Sequence, residues 1–241
     1  LAATRRNIKR LVAPLGVPFL LGVDTWHYKA DGLDHYNTAL CTDHTGNALG
    51  RYDKCHLVPF GEYVFFAETF PWLYKLTPLA GGSKAGAGPR AFELSGVRYA
   101  PNICYENTIP HLIRSQVAQL RAADSEPDVL VNLTNDGWFW GSTELDMHLA
   151  CAVFRAIECR KPFLISANTG FSARIDSDGR ILEQGRRRAT DLLVGRADID
   201  RRHSPYLAIG DLPAGLCLLA TCALAAVGLW NWNAGRRRTR Q

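Results

Sequence analysis

The 241-residue sequence is 47% hydrophobic and 21% charged, with 12 prolines and 21 glycines dispersed along it and no repeating period. That composition excludes collagen-like, low-complexity and disordered classes and provides for a real core. Of the net charge of +5, four charges belong to Arg236, Arg237, Arg238 and Arg240, so the body is nearly neutral and offers no broad basic face for a nucleic acid. Seven cysteines without a C-x-x-C pair, and seven histidines without an H-x-H or H-E-x-x-H spacing, argue against a disulfide scaffold and against any metal site. Most of the cysteines are expected to be buried small hydrophobes.

The sequence opens on Leu1 and its single methionine is Met147, so an N-terminal portion is expected to be missing, and the lack of a signal peptide carries no information. Residues 7–15 read as the end of an amphipathic helix stopped by Gly16. The continuous apolar run 17–23 predicts a strand buried on both faces. Runs 36–42 and 48–52 flank the polar segment Asp43-His-Thr-Gly-Asn and predict a hairpin. Apolar runs 99–104 and 129–133 predict strands on either side of a helix over 109–123, and a second helix is expected from about Glu144 to Cys159. Strands are expected at 163–167, 171–175 and 192–197, with Asp178-Gly179 as a hairpin turn. Such alternation implies an α/β body with a layered mixed sheet.

Residues 212–235 carry no charge, are rich in Leu and Ala, and hold Trp230 and Trp232 just before the arginine run. A buried core helix is the competing reading, but the length and flanks predict a membrane-spanning helix. The positive-inside rule then puts the arginines in the cytoplasm and the body on the opposite, periplasmic face.

Three segments combine reactive residues with turn residues: Tyr52-Asp-Lys-Cys-His-Leu-Val-Pro-Phe-Gly-Glu62, Asn102-Ile-Cys-Tyr-Glu106 and Asn132-Leu-Thr-Asn-Asp-Gly-Trp-Phe139. Cys104 ends a predicted strand, where α/β proteins expose nucleophiles. Attack on an ester or amide by that thiol requires a base and a cation or amide donors for the oxyanion, and Lys54 supplies a cation. By residue type alone, a core thiol is the favoured reading of Cys104 and a solvated turn lysine that of Lys54; their surroundings reverse that preference.

Taken together, the three segments resemble the nitrilase superfamily of carbon–nitrogen hydrolases, most closely its membrane branch, the apolipoprotein N-acyltransferases. The similarity covers nearly the whole chain and is strongest from Lys54 to Glu62. The resemblance implies an αββα sandwich, incomplete at the N-terminus, over residues 1–208. A transmembrane helix over 209–235 and a basic cytoplasmic tail over 236–241 would follow. It also implies a catalytic Glu–Lys–Cys set in which Lys54 and Cys104 match two members, with Glu62 as a further carboxylate of the site. Tyr105, Glu106, Asn135, Trp138 and Phe139 match substrate-binding positions. No glutamate precedes Glu62, so the base is expected upstream of Leu1 and the sequence as it stands is expected to be inactive. Cys55 beside the lysine, and Phe65 where the family often has proline, are smaller departures that alter the loop rather than remove a reactive group.

The activity so implied needs no cofactor and no metal. Cys104 would take an acyl chain from a phospholipid as a thioester and pass it to the N-terminal amine of a diacylglyceryl-cysteine apolipoprotein, at the bacterial inner membrane with the catalytic body in the periplasm. A membrane-anchored amidase using water as acceptor is the first alternative, and a non-catalytic periplasmic interaction domain the second. Phe60, Tyr63, Phe65, Phe66, Phe70, Trp72 and Tyr74 crowd one stretch after Lys54, which reads either as core or as a loop at a lipid interface.

Overall fold

The structure is a computed structural model that describes the chain except residues 1, 31, 68, 78, 80, 81, 140, 141 and 239–241; for residues 2–4 and 233–238 it describes the backbone path alone. The expected basic tail, 236–241, therefore lies outside the described side chains. Helix α1 (Ala2–Val12) continues as a 3-10 turn over Ala13–Leu15 and stops at Gly16, whose φ of 65° is the left-handed conformation that glycine adopts freely.

Strands β1 (Phe19–Lys29), β2 (Gly32–Thr42) and β3 (Ala48–Asp53) form an antiparallel sheet in that order. The expected hairpin is the β2–β3 connection, where Asp43 Oδ1 accepts from the backbone N–H groups of Thr45 and Asn47 at 2.8 Å each. Strand β1 departs from expectation. It extends to Lys29 and alternates half-buried with exposed residues, instead of being buried on both faces. Its antiparallel pairing with β2 gives it one face toward the interior, and the polar residues 24–29 are carried by that pairing rather than by burial.

A second sheet contains β4 (Phe92–Leu94), β5 (Val97–Ile103), β6 (Val129–Thr134), β7 (Phe163–Ala167), β8 (Ala173–Ile175) and β9 (Ile181–Gln184), in sequence order. Strands β5, β6 and β7 run parallel, joined through helices α2 (Pro110–Ala122) and α3 (Glu144–Cys159), and the outer strands pair antiparallel. Residues 192–197, expected as a strand, make no sheet pairing; Leu192 and Val194 point into solvent there, so apolar character alone misled.

Two apolar clusters hold the layers. Ala39, Cys41 and Tyr52 of the first sheet pack against Ile103, Val129, Val131 and Leu133 of the second, while Leu130, Phe163 and Ile165 pack against Ile113, Val117, Leu149 and Ala156 of the helices. Every residue of β6 is buried: Val129, Val131 and Leu133 serve the cluster between the sheets and Leu130 the one under the helices, while Asn132 bonds the Cys104 carbonyl and Thr134 bonds Asp136. Full burial of each such aliphatic contributes about 1.5–3 kcal/mol, which makes this central strand the rigid base on which the site stands.

Of the seven cysteines only Cys41 and Cys159 are buried, against the expectation that most would be; Cys217 and Cys222 are exposed on the last helix. That helix, α5 (Leu212–Arg238), follows the short α4 (Pro205–Ile209), which Arg114 ties to the body through Tyr206 O at 2.8 Å and Ala208 O at 3.1 Å. Its segment Leu212–Trp232 is long and apolar enough to cross a membrane, and none of its most apolar window is covered by the rest of the chain, unlike a core helix.

Candidate active site

The carboxyl ends of β5 and β6 and the loop leaving β3 converge. Cys104 is the first residue past β5, with φ of 51°, a left-handed backbone in a non-glycine residue that costs roughly 1–3 kcal/mol and needs surrounding structure to hold it. Burial pushes its thiol pKa up; the charge of Lys54, a hydrogen bond with the Thr134 side chain and the Tyr105 backbone N–H pull the other way. The net upward direction leaves a protonated thiol at neutral pH, so attack requires a base to accept its proton.

Lys54 is 1% exposed, and a buried ammonium needs a partner. Glu62 provides it, with both carboxylate oxygens 2.8 Å from Nζ. Glu62 is itself fixed by the Val58 backbone N–H, at 2.8 Å from Oε2. The turn that returns Glu62 to the lysine passes through Phe60 at φ of 60°, closed by Gly61 and Glu62 N–H groups on Val58 O.

Glu106 is 0% exposed and accepts from four donors: the Tyr52 hydroxyl, 2.9 Å from each oxygen, and the backbone N–H groups of Cys55, His56 and Ile103 at 2.8, 2.9 and 2.7 Å. The resemblance implies substrate contact for this residue, but its carboxylate is filled by protein donors. Instead it ties the loop after Lys54 to the strand end before Cys104. Its pKa is raised because burial outweighs those hydrogen bonds.

The other expected lining residues are accessible. Tyr105, Asn135 and Trp138 are exposed, Trp138 by 82%, and Phe139 is half-buried. Asn135 Oδ1 accepts from Asn168 Nδ2 at 2.6 Å, which joins the ends of β6 and β7. Phe60, Phe65, Phe66, Phe70 and Trp72 are all exposed, whereas Tyr63 and Tyr74 are half-buried, so most of that aromatic stretch is not core. Thr134, Asp136, Asn132 and His148 also surround Cys104 and were not singled out by sequence; of these only His148 lies outside the quoted segments, on a helix with no spacing signal.

The model of the carbon-nitrogen hydrolase family matches residues 1–204. The chain belongs to the carbon–nitrogen hydrolase family. Among curated relatives, it is 37% identical over 211 residues to an apolipoprotein N-acyltransferase of Rhodopirellula baltica, covering 87% of this chain and 37% of that protein. It is 34% identical over 221 residues to an apolipoprotein N-acyltransferase of Geobacter metallireducens, covering 92% of this chain and 41% of that one. The chain thus spans only about two fifths of the length of these relatives. A solved carbon-nitrogen hydrolase from Helicobacter pylori matches with a TM-score of 0.58 at 14% identity, over 76% of this chain and 63% of that one, which supports the αββα fold expected from sequence.

Proposed function

We propose that the chain carries the catalytic body of an apolipoprotein N-acyltransferase, with residues 1–208 as that body, 209–235 as a membrane span and 236–241 as a cytoplasmic tail. The observation that carries this reading is a left-handed cysteine, Cys104, in the field of a buried lysine, Lys54, within a chain similar to named acyltransferases over most of its length.

In the first step the Cys104 thiol loses its proton to a base and attacks the ester carbonyl of a phospholipid; the thioester forms, the ester C–O bond breaks, and the proton passes to the departing lysophospholipid oxygen. In the second, the α-amine of a diacylglyceryl-cysteine attacks the thioester; the amide forms, the C–S bond breaks, and the amine proton returns through the base to the thiolate. Lys54 Nζ, anchored by Glu62, stabilises the oxyanion of each tetrahedral intermediate. Glu62 is engaged with Lys54 and Glu106 with four donors, so the base is assigned to the glutamate that the resemblance places upstream of the lysine.

Lipid substrates agree with the bare apolar helix α5 and with the exposed Phe60, Phe66, Trp72 and Trp138, which would rest at the bilayer surface and admit acyl chains. The arginine run after α5 favours a cytoplasmic tail and a periplasmic body. The test is incubation of the complete gene product with phospholipid vesicles and a synthetic diacylglyceryl-cysteine peptide. Acylation of the peptide amine is expected; ammonia release from a small amide with no acylated peptide would favour an amidase instead.

A further inference from the structure

Behind Cys104 lies a polar chain that the acyl-transfer scheme does not use. His148, on the buried face of α3, sets Nε2 at 3.0 Å from the carbonyl oxygen of Cys104. A carbonyl oxygen offers only lone pairs, so Nε2 is the donor. The other ring nitrogen, Nδ1, lies 3.2 Å from Asp136 Oδ1, and that same oxygen accepts from the Thr134 hydroxyl at 2.6 Å. Thr134, Asp136 and His148 are all buried and form a chain of polar contacts that ends on the Cys104 carbonyl. Asn132 Nδ2 gives the Cys104 carbonyl a second donor at 3.1 Å.

We propose that His148 is a positioning residue for the nucleophile: bonded to Asp136 on one side and to the Cys104 carbonyl on the other, it holds the left-handed elbow that presents the thiol to Lys54. Two donors on one carbonyl fix the orientation of the peptide that follows Cys104, which is where an unfavourable φ would otherwise relax. Asp136 sets the ring plane and accepts from the Thr134 hydroxyl. This role rests on the reading of Cys104 as the nucleophile, and it is read out from the reactivity of Cys104 itself, without any acyl donor.

The experiment is alkylation of the complete protein with iodoacetamide at fixed pH, followed by mass spectrometry of the tryptic peptide 99–114, in which Cys104 is the sole cysteine. His148→Leu keeps bulk and removes both hydrogen bonds; it is expected to slow alkylation of Cys104 by about tenfold, the factor that loss of a hydrogen bond carries, and to leave Cys151 on the same helix unchanged. His148→Gln, whose amide nitrogen reaches the place of Nε2, is expected to restore the rate to within about threefold of the unsubstituted protein, since the carbonyl regains its donor. A wild-type rate in His148→Leu, or equal rates in the Leu and Gln variants, would overturn the role. If His148→Leu does not accumulate as folded protein, Asp136→Asn decides: a slowing of about threefold is expected from the weakened anchor, and an unchanged rate overturns it. Loss of acyl transfer in an unsubstituted protein whose alkylation still depends on His148 would sink the acyltransferase reading and leave this one standing.

Discussion

The surroundings of Cys104 and the outlying loop and helix invert the usual arrangement of a protein. Around Cys104 and Lys54 the buried charged groups and the histidine are paired: an ammonium on a carboxylate, Glu106 on four donors, a histidine between a carbonyl and an aspartate. Along residues 60–76 Phe60, Phe65, Phe66, Phe70, Trp72 and Leu76 are exposed, Phe66 by 76%, and the most apolar window of α5 is bare. Buried polar groups that are fully matched hold atoms in one geometry, whereas bare apolar surface is stable only against an apolar partner. On the proposed function, the first region serves the chemistry and the second a lipid surface.

Breaking the matched region is expected to have the largest effect. Lys54→Met removes the oxyanion cation and leaves Glu62 without its partner; single-turnover acylation of Cys104 should fall by about 10²–10³. Next is Glu106→Gln, which puts an NH₂ group against backbone donors and frees the loop after Lys54. Its unfolding free energy should drop by about 1–3 kcal/mol, measured by urea titration. A retained midpoint would show that the tie is dispensable.

A smaller effect concerns pH. Burial pushes the Cys159 thiol from 9.0 up to about 12 in the folded state. Between those values the unfolded chain has lost a proton that the folded chain keeps, so stability falls as pH rises through that window and the contribution is intact below 9.0. Cys159→Ala should therefore lose less stability between pH 8 and pH 10 than the unsubstituted chain does. Equal losses would contradict the burial argument.

The smallest effect on folding is expected in the bare region. Phe66→Ser should change stability by only about 0.5 kcal/mol while weakening binding to phospholipid vesicles in co-sedimentation. A stability loss of several kcal/mol would show that the loop packs in the core after all.

The sequence made the centre of the fold legible and the margins less so. Strand β7 and helix α3 fall where the apolar runs predict, because each is long, unbroken and bounded by turn or polar residues. Strands β4 and β9 were missed, being three and four residues long and half polar. Segment 192–197 was predicted from apolar residues that find no partner. At the site, Cys104 was singled out as a strand-end thiol and Lys54 as a cation, whereas Glu62 came only from the family resemblance of its segment. The work of Glu106 was not visible, since it depends on three N–H groups from two segments converging on one carboxylate. His148 was less visible still, because a lone histidine on a helix carries no signal until Cys104, 44 residues away, is folded against it.

The central claim is that Cys104 accepts an acyl chain from a phospholipid. Intact-mass measurement of the complete gene product after incubation with phospholipid vesicles, beside Cys104→Ala, tests it most directly. The account predicts a mass increase of one acyl chain that hydroxylamine removes and that the Cys104→Ala protein never gains. A folded, vesicle-bound protein that gains no acyl mass would contradict it.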